Sequence, residues 1–367
     1  MFSPRSILAL CVLALCGCSG SPRHADEASL DPDVARARIL AKLPPRIENP
    51  NGWAVDIFAA FDSLGIVAST DNICAVLAVG EQETGLRVDP PVPGMAGIAR
   101  REMEARAASH KVPTLLLNAA LALNSQDGRS YSARLDAART EMELSELFED
   151  FIGMVPLGKR LFAGWNPVHT AGPMPVSIAF AEQHAGRQRY PYTHTGSIRA
   201  EVFTRRGGLY FGIAHLLGFP TSYHAMLYRF ADFNAGHYAS RNAAFQSALS
   251  GLAKTRLALD GDLLLRGDAA NQASKTELAV RPLSRRLRMS DAQIRADLEQ
   301  GEKQAFERSR LHERLFELAD EQRGSPAPRA MLPVTKLSSP KITRALTTEW
   351  FARRVNDRYA RCLARGS

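Results

Sequence analysis

Asn72-Ile-Cys-Ala-Val-Leu-Ala-Val-Gly-Glu-Gln-Glu-Thr-Gly-Leu86 is the stretch whose reading decides the fold. From Ile73 to Val79 every side is apolar, so the segment predicts a helix that runs through a core rather than along a surface. Asp71 stands where an N-cap belongs, and Gly85 where a helix stops. The helix ends in a carboxylate, Glu83. A carboxyl at that end meets the negative pole of the helix dipole, and burial penalises its ionised form further. Both effects raise its pKa, as an acid working near neutral pH requires. The plainer reading is a helix-end glutamate turned to solvent, where most glutamates lie. Glu81, two residues earlier, falls on a different face of the same helix.

Outward from this helix the chain reads as mainly α. Trp53, Ile57, Phe58, Phe61 and Leu64 share one face of a preceding helix. Pro90-Pro-Val-Pro-Gly94 forces a loop, and residues 97–151 look like two or three helices rich in Ala, Glu and Arg. No run alternates Val, Ile and Thr in the way a strand requires. Between Val155 and Thr195 Gly and Pro become dense, with Trp165, His169, Tyr190, Tyr192 and His194 among them, a mixture that suits a loop-built, aromatic-lined cleft. Helices resume near Gly208 and continue past Ala258. Ser290 and Gln293 form a capping box opening a long helix, with Ile294, Leu298, Phe306, Leu315 and Leu318 on its apolar side. Gly324-Ser-Pro-Ala-Pro breaks the chain, and a last helix carries Leu346, Trp350, Val355, Tyr359 and Cys362.

The N-terminus reads as an export signal over residues 1–17: Arg5 supplies a positive charge, Ile7 to Leu15 an apolar segment, and Leu15-Cys-Gly-Cys18 a lipobox. It resembles bacterial lipoprotein signals, in which the cysteine, here Cys18, is diacylated and becomes the new N-terminus. An ordinary secretory peptide is the alternative. The apolar segment is too short to span a bilayer. Ser19, rather than Asp, follows the cysteine, which by resemblance to sorted lipoproteins implies an outer-membrane anchor facing the periplasm. Residues 18–45 are polar and carry prolines, and read as a tether. Cys74 and Cys362 then remain in a compartment that permits a disulfide. They can pair, or Cys74 can be a small buried hydrophobe, and both readings stay open. The formal charge of +8 is spread along the chain, with basic runs at Arg281–Arg288 and Arg353–Arg365. Nucleic acid is not an expected partner outside the cytoplasm. His215 and His224 stand apart from any His-Glu-x-x-His or Cys-x-x-Cys run, and no nucleophile turn or phosphate loop is present. No metal and no cofactor are expected.

Three segments carry a resemblance. Glu83-Thr84-Gly85-Leu86 stands in place of Glu-Ser-Gly-Phe at the end of a catalytic helix. Gly172-Pro173-Met174-Pro175, followed by Val176-Ser-Ile178, is similar to a turn ending Gly-x-Met-Gln. Ala231-Asp232-Phe233-Asn234-Ala235-Gly236 matches Tyr-Asn-Ala-Gly, and Gly208 to Leu217 looks like the helix that precedes it. In that order they resemble the lysozyme-like lytic transglycosylases of the soluble lytic transglycosylase type. Over most of its length the chain also resembles a family of bacterial lipoproteins known only as a domain of unknown function.

The first resemblance implies a lysozyme-like helical domain over residues 46–260, with a long helical insertion at about 88–165 and a helical C-terminal extension over 261–367. It implies cleavage of the glycosidic bond between N-acetylmuramic acid and N-acetylglucosamine in peptidoglycan. One glutamate, Glu83, would protonate the leaving oxygen and then, as a carboxylate, accept the proton of the C6 hydroxyl that closes a 1,6-anhydro ring. Ordinary glycosidases need a second carboxylate; an intramolecular nucleophile removes that need. Met174, Phe233, Asn234, Tyr190 and Tyr192 would line the substrate site. Asn234 shares a helical stripe with Phe230 and Leu227, so it either organises the site or bonds loop backbone near Gly236. Two positions depart from the pattern. Phe233 replaces a tyrosine and Pro175 a glutamine, which removes a hydroxyl and an amide. They motivate the alternative of a non-catalytic peptidoglycan-binding or envelope-scaffold lipoprotein with a degenerate site. The expected partners are glycan strands and, through the N-terminal lipid, the outer membrane.

Overall fold

In the computed structural model, which describes residues 31–154, 160, 163–337 and 344–365, the Ile73–Val79 run is the axis of a first core. The helix spans Thr70–Glu83, and everything from Ile73 to Gly80 is buried. Ser69, not Asp71, is its N-cap: the Ser69 side chain accepts from the Asn72 N–H at 3.1 Å. Asp71 sits in the first turn and accepts instead from the Tyr359 hydroxyl at 2.5 Å. Gly85 (φ +63°) stops the helix in the left-handed conformation that costs glycine least, and the Leu86 N–H turns back onto the Gly80 carbonyl at 3.1 Å.

The mainly α expectation holds. The helices Pro50–Leu64 and Arg205–Leu217 pack side by side, and Trp53, Ile57 and Phe61 face inward as their spacing predicted. The strands Thr170–Ala171 and Val176–Ser177 pair antiparallel around the turn that carries Met174. The region 155–195 is less loop-like than its composition implied, since Ile178–Arg187 is helical with Ser177 as its N-cap. Within the expected insertion, Met95–Ser109, Thr114–Leu121, Tyr131–Ala137 and Glu141–Gly153 form an adjoining group of helices, the last opened by a Thr140–Glu143 capping box.

Two expectations about the ends are overturned. The tether does not reach residue 45: Pro32–Lys42 is a helix capped by Asp31, with Ala35 and Ile39 fully buried against the first core. Lys42 reaches the other terminus, where its ammonium donates to the Leu363 carbonyl at 3.0 Å and to the Arg365 carbonyl. A cation there meets acceptors left unpaired at a helix end. Nor is residues 261–367 one extension. The helix Thr348–Leu363 returns to the first core, lies along both Thr70–Glu83 and Met226–Ala235, and contributes Phe351, Ala352, Val355 and Cys362 to it. Cys362 is disulfide-bonded to Cys74, which settles the open reading of that pair.

A second core gathers residues between Ala244 and Ala327, around Phe245, Phe306, Leu315 and Phe316. The long helix expected after Ser290 is broken: the capping box forms, but Asp291–Leu298 ends before Gly301, and Arg310–Arg323 is a separate helix. The helix Ala239–Ala253 belongs to the second core and meets Met226–Ala235 of the first at its start. At its start Arg241 is buried, donating to the carbonyls of Lys303 (2.9 Å) and Gly301, with its guanidinium 4.3 Å from the Tyr238 ring. The expected signal and Cys18 lie outside the described residues. Among the described residues no helix is long and apolar enough to cross a membrane.

Candidate functional site

Two of the three motifs meet. The Thr84 hydroxyl, buried at the end of the Thr70–Glu83 helix, lies 3.1 Å from the Gly80 carbonyl and 2.9 Å from that of Pro173. The turn after Pro173 rests on the Arg205–Leu217 helix at Gly212, where an added Cβ would come 2.4 Å from the Met174 Cβ. No side chain fits there, so the glycine is what lets the turn reach the helix. One turn further along the same stripe, His215 Nε2 lies 3.2 Å from the Phe233 carbonyl oxygen. Glu83-Thr84, Pro173-Met174 and Phe233 are thus joined in one chain of contacts through Gly212 and His215.

The side chains that were to do the chemistry are placed otherwise. Glu83 is exposed on the last turn of its helix, so the burial on which an acid function was argued is not supplied. Glu81 is more enclosed, and two guanidiniums hold it, Arg365 at 3.3 Å and Arg358 at 3.8 Å. Met174 is fully buried under the Arg205–Leu217 helix and belongs to the core, not to a cleft wall. The Phe233 ring is buried beside His215, with centroids 5.2 Å apart. Asn234 is half-buried, and its Oδ1 accepts from the Thr348 hydroxyl at 2.8 Å. The C-terminal helix therefore begins on the amide expected to serve a substrate.

Tyr190 and Tyr192 are not gathered with Phe233 and Asn234. Tyr190 stacks on Phe211 at 5.2 Å and donates to Glu201 Oε2 at 2.7 Å, and the rings of Phe211, His184, Phe180 and His215 stand between it and Phe233. Burial, with the Glu201 carboxylate beside it, raises its phenol far above the ordinary range. The Tyr192 ring lies under the Arg206 guanidinium at 5.0 Å, and burial pushes its phenol up to about 12.

Sequence reasoning passed over the group that is most buried. Asp232, inside the quoted third motif, is fully enclosed. Its carboxylate accepts from the Ser240 N–H at 2.7 Å and from the Tyr223 hydroxyl, and so ties Met226–Ala235 to the start of Ala239–Ala253. Burial pushes it up to about 6. An acid flanked by Phe230, Ala231 and Phe233 on an apolar helix was the available signal. His215 is pushed the other way, to about 3, by burial and by His237 stacked 4.5 Å away. Both groups act as parts of the frame.

The open space near the Glu83 helix is a cleft of about 680 Å³ at its C-terminal end. Glu81, Arg87, Arg46, Glu48, Arg205 and Trp53 are among the residues that line it. Arg205 is held by Asp56 at 2.6 Å. Such a wall of alternating charge suits a ligand bearing carboxylates and amides. Among the described residues no group of three or more His, Cys, Asp or Glu side chains is arranged to hold a metal ion.

Comparison with known proteins follows this geometry. A family described as "Protein of unknown function (DUF1615)" is matched by residues 46–365. A protein of Escherichia coli (strain K12), named "Uncharacterized protein YaiW", is 49% identical over 359 residues, which is 98% of this chain and 97% of that one. No solved structure matches.

Proposed function

The chain belongs to that DUF1615 family, and we propose that it is a glycan-binding lipoprotein of the cell envelope, on a lysozyme-like helical frame whose glycan-cleaving site is degenerate. In this reading the lipid on Cys18 holds it to the outer membrane, and the cleft beside Glu81 and Arg87 takes the peptide-bearing glycan. The observation that carries it is the Thr348–Asn234 bond. A helix seated between the Glu83 helix and Asn234 occupies the ground on which a single-acid site would be assembled, and Glu83 itself is exposed. The loss of a hydroxyl at Phe233 and of an amide at Pro175 points the same way.

Glycan cleavage by Glu83 is the second reading. The contact of Thr84 with Pro173, which brings the first two motifs together in the order of the resemblance, favours it. Intact sacculi separate the two. The delipidated chain is expected to sediment with them and release no soluble muropeptides across the pH range, while Arg46→Glu with Arg87→Glu weakens sedimentation about tenfold or more, as loss of charge-assisted contacts does. Release of anhydro-muramyl ends that vanish in Glu83→Gln would establish cleavage instead. Absence of both sedimentation and release sinks both readings.

A further inference from the structure

An apolar cavity of about 320 Å³ opens among the helices of residues 95–153 and the segment at Trp165 and Pro167. Met103, Leu117, Phe148, Phe151, Ile152 and Trp165 form its wall. Its volume is at the lower end of small-molecule pockets, which run about 300–1,000 Å³. Beside it the Thr114–Leu121 helix carries no charged residue, yet Leu115 is 80% and Leu116 60% exposed. Large apolar side chains left in water next to a hydrophobic hole mark a binding surface.

Two charged side chains line the cavity, Glu102 and Arg106, one turn apart on Met95–Ser109. Arg106 donates to the Trp165 carbonyl at 3.0 Å and lies 3.2 Å from His169 Nε2, and among the described residues it has no carboxylate partner. A guanidinium so placed is a fork for a phosphate. Glu102 beside it suits an ammonium. The site thus combines a hydrocarbon wall with one anion-binding and one cation-binding group.

That combination decides the occupant. A peptide entering the cavity would bring backbone N–H and C=O groups that need partners, and a wall of carbon offers none. A hydrocarbon chain has no polar group to satisfy, and every methylene it buries is stabilised by leaving water. We propose that the cavity takes one acyl chain of a membrane phospholipid, with Arg106 on the headgroup phosphate, Glu102 on an amine, and Leu115 and Leu116 resting in the lipid surface. This goes beyond the glycan reading and does not depend on it.

The test uses the purified full-length chain and single-chain lysophosphatidylethanolamine below its micelle concentration, titrated by calorimetry, with flotation on phosphatidylethanolamine–phosphatidylglycerol vesicles. The parent binds the lysolipid saturably. Ala120→Trp, which fills the cavity from a half-buried position, weakens binding about tenfold or more, and Arg106→Gln about tenfold, as one lost charge-assisted contact does. Leu115→Ser, at a residue outside the cavity lining, lowers vesicle flotation and leaves lysolipid binding in place. Melting curves close to the parent's show that each variant is folded. No saturable lysolipid binding by the parent, binding by Ala120→Trp as tight as the parent's, or capture of an amphipathic peptide in place of lysolipid overturns the proposal. Sacculus sedimentation is unchanged in Ala120→Trp, so failure here is distinct from failure of the glycan reading.

Discussion

Asp232 shows how one side chain sets a pH profile. Its carboxyl is pushed up to about 6 by burial, against roughly 3.9 for a free aspartate. A carboxyl raised in the folded state stabilises the fold fully below the unfolded value, and that contribution is lost as pH rises from about 4 through about 6. Over that window the loss is on the order of 3 kcal/mol. His215 and His312 act in the opposite sense. Burial lowers them to about 3 and about 4, so their contribution is intact above the ordinary imidazole value and is lost as pH falls below about 6.5. Between pH 4 and 6 the two trends oppose. Asp232→Asn keeps an acceptor for Ser240 and removes one trend, so its stability should fall more steeply on acidification than the parent's. Urea midpoints from pH 4 to 7 measure this, and parallel profiles would count against it. Neither histidine nor the aspartate announced this role, because enclosure depends on neighbours from other elements.

The helices were legible wherever one helix carried its own signal. The run Ile73 to Val79 is apolar on all sides, and the helix through it is buried as predicted. Ser290 and Gln293 form the capping box their spacing implied. Pro32–Lys42 was missed because only Ala35, Ile39 and Lys42 turn inward, too few to stand out from a polar stretch. The position of Thr348–Leu363 was not legible at all. Its place is set by Asn234, by Asp71 and by Cys74, contacts that span up to 288 residues of sequence. Losing the Cys74–Cys362 bond should therefore loosen this helix in particular. Replacing both cysteines with serine is expected to cost about 2–5 kcal/mol. It should also raise amide exchange in Thr348–Leu363 before exchange in Arg205–Leu217 rises. Uniform loss of protection would show that the helix holds its place without the bond.

At the scale of the molecule, two cores meet at the start of Ala239–Ala253. Arg241 fastens the start of this helix to the second core: 1% of its side chain is exposed, and its guanidinium joins Tyr238 to Gly301, Lys303 and Phe306. Arg241→Met removes the side-chain donor to the Lys303 carbonyl, leaves the Gly301 carbonyl to Asn242 alone, and takes the cation from Glu307, 3.8 Å away in the parent. Breaking a buried pair of this kind costs about 3–5 kcal/mol. Calorimetry should show a single parent transition divided in two, with the second core melting first. A variant that melts as one unit would place the coupling elsewhere. The composition gave the helical class but not this division, since residues 46–260 and 261–367 were expected to separate at a boundary that Thr348–Leu363 crosses back over.

The return of that last helix also bears on the order in which the chain can be completed. The central helix is translated first, and one of its covering faces is supplied by residues as far as 288 positions later in the chain. Until Cys362 has emerged, Thr70–Glu83 keeps an apolar flank uncovered. The first core is thus open for most of synthesis, when exposed apolar surface invites aggregation. The joining of Cys74 to Cys362, 288 residues apart, can therefore only be the closing act of folding.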